Sequence, residues 1–454
     1  MLPLSALTLR DQLADGDISS REATAHYLQQ IDQQQALGAF IHVSEAAMDA
    51  AARADEAFAK HRGKLGRMHG MPTAFKDLND VAGMPTTYGS AAIKQTTATR
   101  DSALAARLRA EGVIVLGKTQ VPEFGLSSYS ENLIAAPSRN PHDPLRSSGG
   151  SSGGQAAAVA AGMIPVGPGS DGGGSVRIPA AACGLVGLKP SLGRIPSDVL
   201  EGYSDRFGAP KLTVSGPLAH DALDAALLMD AMRGSDYFLP LLRGGFPEEL
   251  SNLRIGYSTH SPFQSAYDIA VSAEAQQSFT AGLQLLARRH NVELAALDYA
   301  EDYPEDYPEA FTAVWTNGLK DILLDDESRL GTLARDFRRR SQERSRRESL
   351  RAASRVRQIA ADFIRQWSAY DVIATPALSG VPPLVGHYTQ GSAERDYMLQ
   401  CQYSPYSSMV NVASAAAITV PVGTSKNGLP LGIQLISPRS DEGMLLALAL
   451  QISM

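Results

Sequence analysis

The sequence predicts an α/β protein: a single large domain in which a central, mixed, twisted β-sheet is covered by α-helices on both sides. Three observations carry that expectation. An amphipathic stretch from Asp101, with Leu104 and Leu108 four residues apart, stops at Gly112 and feeds the wholly apolar run Val113-Ile114-Val115-Leu116. That is the pattern of a helix followed by a buried strand. Near the C-terminus Tyr370–Ala374, Ala417–Val420 and Leu431–Ile436 are further β-rich runs, punctuated by Pro or Gly. No internal repeat or low-complexity linker divides the 454 residues, and with 44% of them hydrophobic and 20% charged there is apolar material for one extensive core.

Taken in order along residues 1–454, the elements fall into four stretches of one domain. Over about 1–65, Leu9, Leu13, Ala23, Tyr27 and Ile31 recur at helical intervals, with Gly16 breaking the run into two helices of an N-terminal layer. Over about 66–235 lies the stretch that carries the chemistry. Its composition turns to Gly, Ser and Ala between Arg146 and Gly193, where Gln155–Ala161 reads as a helix small-sided enough for close backbone packing. Another helix is expected from Asp221 to Met232. Over about 236–370 a variable, substrate-side region includes the arginine-rich segment Arg335–Arg365. There Arg338, Arg339, Arg340, Arg344, Arg346 and Arg347 alternate with Glu343 and Glu348. A solvated helix face with local ion pairs accounts for that pattern better than a polyanion site. The strands of 371–454 complete the sheet.

Composition also excludes function classes. A formal net charge of −7 argues against nucleic acid as a partner, because phosphate binding needs a basic face. A small molecule is the expected ligand. Two cysteines, Cys183 and Cys401, are too few for a disulfide framework and lack zinc or redox spacing, so both read as reduced packing residues. Neither a metal nor a cofactor is expected. Arg10 and Asp11 interrupt the N-terminal apolar residues, and no apolar run approaches the ~18 residues of a membrane span. The expectation is a soluble, cytoplasmic protein, monomeric or homodimeric, with no membrane contact.

Two motifs are decoys. Gly112-Val-Ile-Val-Leu-Gly117-Lys118-Thr119 has the letters of a phosphate-binding P-loop, but its four variable residues form the strand itself rather than a loop, which leaves Lys118 structural. Gly149-Gly150-Ser151-Ser152-Gly153 fits the G-x-S-x-G nucleophile pattern, which requires an acid and then a histidine further on. His220, His260, His290 and His387 are available, but none sits in a motif-like setting.

The run Gly169-Ser170-Asp171-Gly172-Gly173-Gly174-Ser175-Val176-Arg177 is different in kind. Three glycines before a serine can aim the N–H groups of Gly172, Gly173, Gly174 and Ser175 at one point, as an oxyanion requires. An acid and a base flank the loop, and continuation through Ala180-Ala-Ala-Cys183-Gly184 to Lys189-Pro190 and Gly193-Arg194 makes this block resemble that of the amidase signature family. Further blocks extend the likeness over nearly the whole chain: Gly70-Met-Pro72 with Lys76-Asp77, Gly117-Lys118-Thr119 with Glu123-Phe124, Gly149–Gly154, Ser215-Gly216-Pro217, and Leu429–Gln434.

The resemblance implies the amidase-signature fold and an amidase, a hydrolase of carbon–nitrogen bonds other than peptide bonds. It also implies a Ser–cisSer–Lys triad on matching positions: Ser175 as nucleophile, Ser151 after a cis peptide bond as bridging serine, and Lys76 as base. A serine hydroxyl needs such a neighbour to take its proton. A lysine serves only when neutral, which burial favours. Lys76 is therefore expected in a dry pocket with Asp77 and Asp80 turned away. Ser152, Ser170, Asp171 and Arg177 are expected to support the loop. Tyr88, Gly125 and Tyr129 are expected at the substrate, within a pocket drawn from Gly125–Tyr129, Leu133–Ala136, Val199–Tyr203 and Trp315. Its apolar and aromatic content points to a hydrophobic or aryl amide or a carbamate. Alternatives are the glutaminase-type subunit of an amidotransferase and a non-catalytic binding protein on the same fold. Two departures from the family pattern are Gly172, where a larger residue is common, and Gln120, where asparagine is.

Overall fold

Adjacent residues of the central strands enter different cores. In the computed structural model, which describes residues 4–61, 65–244, 252–289, 293–297 and 303–453, Val372 and Ala374 join one apolar cluster and Ile373 another. Ala416, Ile418 and Val420 likewise oppose Ala417, and Ile433 and Leu435 oppose Ile436. Successive side chains of a strand point to opposite faces, so both faces of this sheet are buried. Helices Ala222–Arg233, Ala273–Arg289 and Glu442–Ser453 cover the first face, and Tyr307–Thr316, Arg346–Trp367 and Ser408–Val412 the second. Each fully buried Leu, Ile or Val contributes roughly 1.5–3 kcal/mol.

The sheet has eight strands, in the order Glu293–Ala296, Arg254–Tyr257, Val372–Pro376, Pro430–Ser437, Ala416–Thr424, Val186–Lys189, Val214–Ala219 and Gly167–Asp171. The first three run parallel and the rest pair antiparallel, so it is mixed, as the sequence reading expects. A separate three-stranded sheet of Phe40–Val43, Ile114–Thr119 and Pro72–Lys76 abuts its Gly167–Asp171 edge. Side chains make the junction. Thr73 Oγ1 donates to the Val166 carbonyl at 2.9 Å, and Gln155, on the helix Gly153–Ala160, ties that helix to the smaller sheet by donating to the Ala74 carbonyl at 2.8 Å. The ends of Pro72–Lys76 and Gly167–Asp171 thereby come together.

The expected helices form with local causes. Ala6–Asp15 ends at Gly16, and Ser19 with Glu22 makes a capping box that starts Ser20–Gln33. Ser102 caps Ala103–Ala110, which precedes Ile114–Thr119. The small-sided helix is Gly153–Ala160, and a Cβ on Gly154 would lie 2.4 Å from the Gln120 nitrogen and 2.6 Å from the Ala39 carbonyl oxygen. The arginine-rich segment is two helices, Thr332–Glu343 and Arg346–Trp367, because Ser345 and Glu348 form a second capping box between them. Arg339 pairs with Asp336 and Glu343, and Arg355 with Asp306. Such exposed pairs are screened by solvent and add little to stability. Among the described residues no helix is long and apolar enough to cross a membrane, and no cluster of His, Cys, Asp and Glu could hold a metal ion.

Candidate active site

The junction of the two sheets holds the lysine. Lys76, the last residue of its strand, is fully buried, and its Nζ lies 2.7 Å from Ser151 Oγ, 3.0 Å from Ser170 Oγ and 3.3 Å from the Ser170 carbonyl oxygen. Burial pushes its ammonium down to about 7, while the Asp171 carboxylate opposes that shift. Asp77 is turned to Lys118, whose Nζ donates to Asp77 Oδ1 at 2.8 Å and to Thr86 Oγ1 at 2.9 Å; the other Asp77 oxygen accepts from the Thr87 N–H at 3.0 Å and from its hydroxyl. Lys118 is thus a core ion-pair residue and no phosphate ligand.

Ser151 follows a cis Gly150–Ser151 peptide, against which the backbone of Tyr129 packs so closely that a Cβ on Gly150 would lie 2.6 Å from it. The next residue joins the two serine segments: Ser152 N–H donates to the Ser175 carbonyl at 3.1 Å, and its hydroxyl to the Ser170 carbonyl at 3.3 Å.

Ser175 stands in the turn between strand Gly167–Asp171 and helix Arg177–Cys183, and Asp171 shapes that turn. The Asp171 carboxylate accepts the N–H groups of Gly174 (2.8 Å) and Val176 (3.1 Å), Arg177 Nε (3.0 Å) and Nη2 (2.9 Å), and Asn411 Nδ2 (2.9 Å). Burial alone would raise its pKa, but the Arg177 guanidinium and these donors hold it well below the usual carboxylate range. Arg177 reaches onward to the Ser407 carbonyl, Gln434 Oε1 and Asn411 Oδ1. Gly174 has φ +126°, and a Cβ there would lie 2.5 Å from Ser407 Oγ, so only glycine fits. Replacing Arg177 with alanine leaves a buried carboxylate uncompensated. The expected loss is about 3–5 kcal/mol of stability, read from urea unfolding at pH 7; a loss below about 1 kcal/mol would mean that the pair does not hold the loop.

The structure brings together Lys76, Ser151, Ser152, Ser170, Asp171, Ser175 and Arg177. It corrects one other expectation. Of the N–H groups expected at the oxyanion, that of Gly174 is taken by the Asp171 carboxylate at 2.8 Å. Tyr129 packs its backbone behind Gly150; its ring stacks on Tyr388 at 4.7 Å, its hydroxyl donates to Asp396 at 2.7 Å, and the residue lines a cavity of about 370 Å³. Tyr88 is half-buried, and its carbonyl accepts the Phe124 N–H at 2.7 Å. Gly125 does adjoin the site, since a Cβ on it would lie 3.5 Å from Ser151 Oγ. His290 lies outside the described residues.

Ser175 opens on a slot of about 60 Å³ walled by Leu126, Ile178, Phe263, Phe311, Trp315 and Tyr397. A cavity of about 370 Å³, sharing Leu126 and Ser127 with the slot, lies beside it and includes Leu133, Tyr129 and the carboxylates of Glu123, Glu131 and Asp396. Of the segments expected to build the pocket, Gly125–Tyr129 supplies Leu126, Ser127 and Ser128 to the slot beside Trp315, Tyr129 and Leu133 line the neighbouring cavity, and Tyr88 and Val199–Tyr203 line neither. Sequence reasoning missed Phe263 and Phe311 in the wall, and Ser407, Asn411 and Gln434 behind the loop. The spacing Tyr307, Phe311, Trp315, one aromatic per helical turn, is the signal that could have found part of that wall.

Comparison with known proteins follows the same lines. A family model described as Amidase matches residues 22–446. The putative amidase AmiB2 of Mycobacterium tuberculosis is 35% identical over 452 residues, covering 97% of this chain and 93% of that protein. A glutamyl-tRNA(Gln) amidotransferase subunit of Cupriavidus necator is 31% identical over 493 residues, covering 97% of this chain and 94% of that protein. Among solved structures, 6-aminohexanoate cyclic dimer hydrolase aligns with a TM-score of 0.84 at 26% identity, over 100% of this chain and 97% of that one.

Proposed function

The chain belongs to the amidase signature family, whose members hydrolyse amides, and from that premise we propose that it cleaves a small, apolar or aryl amide through an acyl-enzyme on Ser175. The observation that carries the reading is the contact of 2.7 Å between Ser151 Oγ and a fully buried Lys76 Nζ, beside the loop that presents Ser175.

Ser175 Oγ attacks the amide carbon while its proton passes to Ser151 Oγ and the Ser151 proton to neutral Lys76 Nζ. The N–H groups of Gly172, Gly173 and Ser175 hold the oxyanion, preorganised by the grip of Asp171 on the same turn. Collapse breaks the carbon–nitrogen bond, and the lysine proton returns through Ser151 to the leaving amine. Water, deprotonated along the same path, then releases the acid and restores Ser175. The support for an apolar substituent is the aromatic wall of the slot.

Two measurements test the reading on the purified chain. Turnover of a panel of anilides, primary amides, esters, carbamates and glutamine identifies the substrate class. The Cupriavidus relative favours a second reading, a glutaminase acting with partner subunits, and glutamine as the sole substrate would establish it. The second measurement is the pH profile. Lys76 must be unprotonated to accept the proton, so kcat/KM for the preferred amide is expected to climb with pH through about 7 and level off above it. A profile flat from pH 5 to 9 would remove lysine as the base.

A further inference from the structure

We propose that Trp315, seated in the space left by the absent side chain of Gly172, is the length stop of the slot at Ser175 and decides which amides enter it. The inference rests on Ser175 as the reacting serine. Gly172 does not adopt the left-handed backbone that favours glycine, so its role is spatial. A Cβ on it would lie 2.4 Å and 2.8 Å from Trp315 Cζ3 and Cη2, and 2.6 Å from Thr213 Oγ1. No side chain fits there while the indole stays. The benzo edge of the indole therefore rests on the backbone that carries Ser175 three residues later.

The indole is braced from behind. Tyr307, Phe311 and Trp315 recur every four residues along one helix, with ring centroids 6.0 Å apart at 2° and 6.2 Å apart at 10°. Phe263 meets Tyr307 and Phe311 edge-on at 81° and 83°. Parallel offset rings with an edge-on neighbour are a favourable arrangement, and they keep Trp315 from sliding along its helix. The slot it closes, about 60 Å³, is far below the ~300–1,000 Å³ of ordinary ligand sites. One arm of the amide must then be short or flat, with the bulk of the substrate directed past Leu126 and Ser127 into the 370 Å³ cavity.

The test is binding to the Ser175→Ala protein of two series, straight-chain alkanamides and N-alkylacetamides, so that the acyl-side and amine-side arms are read separately by calorimetry. The chain has two tryptophans, and Trp367 is buried in the core, so a fluorescence change on binding reports Trp315. With Trp315 in place, affinity should fall beyond a few carbons in one series. Adding Trp315→Ala should move that limit outward by two or more methylenes and raise affinity for the longest members about tenfold, whereas Trp315→Phe should keep most of the original limit. Gly172→Ala should disturb binding severalfold with Trp315 present and clearly less in its absence, where only the Thr213 Oγ1 contact at 2.6 Å remains to be relieved. An unchanged length limit in Trp315→Ala, no length dependence in either series, or equal effects of Gly172→Ala in both backgrounds would each overturn the stop. Turnover separates the two readings: an unchanged limit in an active Ser175 enzyme removes only the stop, while a shifted limit with turnover surviving in Ser175→Ala removes only the nucleophile.

Discussion

Replacing Ser175 with alanine is expected to lower kcat for the preferred amide by roughly 10⁴–10⁶-fold, the scale on which serine hydrolases lose activity when the nucleophile is removed. Stability should hardly change. The contacts that fix the turn are Ser152 N–H to the Ser175 carbonyl, and the Gly174 and Val176 N–H groups to Asp171; none of them uses the Ser175 hydroxyl. Substrate binding should survive for the same reason, because the slot walls and the N–H groups remain. The check is single-turnover and steady-state hydrolysis of an anilide beside urea unfolding of both proteins. Intact turnover in the variant would shift the nucleophile to Ser151, the serine of the G-x-S-x-G pattern.

What was legible in the sequence was what is local. Ser175 lies within four residues of its loop glycines, Asp171 and Arg177, so one motif displays the turn and the groups that shape it. Lys76 and Ser151 are distant in the chain, and the lysine–serine contact was readable only through resemblance. The lysine's dry setting was expected from chemistry, because a charged amine cannot act as a base. The partners of Arg177 were not legible. Ser407, Asn411 and Gln434 arrive from more than two hundred residues away, and their trace in the sequence is faint: a lone amide in each of two otherwise apolar runs, Met409–Val412 and Leu431–Ile436. The backbone role of Tyr129 was not legible either, because a packing so close that a Cβ on Gly150 would lie 2.6 Å from it is visible only in three dimensions. Gly174 misled because a run of glycines displays donors without showing which are already taken. For the fold, continuous apolar and β-rich runs located the strands, as strands buried on both faces should, but the bond from Thr73 to Val166 that joins the two sheets has no local signature.

Replacing Lys76 has the second large expected effect, with two readouts that separate its charge from its bulk. Lys76→Ala should reduce kcat/KM by roughly 10²–10⁴-fold, the usual worth of a positioned base, and abolish the rise through pH 7. Lys76→Arg should not restore activity, because a guanidinium stays charged and cannot accept the proton. Stability supplies an independent sign. The folded protein holds this amine at about 7 against an ordinary 10.5, so between those values the unfolded chain binds one more proton than the native one. Native stability must therefore increase with pH across that window, by up to about 1.4 kcal/mol per pH unit for one such group. Lys189 is also buried and also held at about 7, by desolvation and the Arg177 charge, and it adds the same slope. Lys189 is unchanged in Lys76→Met, so subtracting the stability curves of parent and variant isolates Lys76. The difference should widen steadily below pH 10 in favour of the methionine protein and become constant below about pH 7. Parallel curves from pH 7 to 10 would mean that Lys76 keeps its proton in the folded state, and a lysine that keeps its proton cannot take one from Ser151.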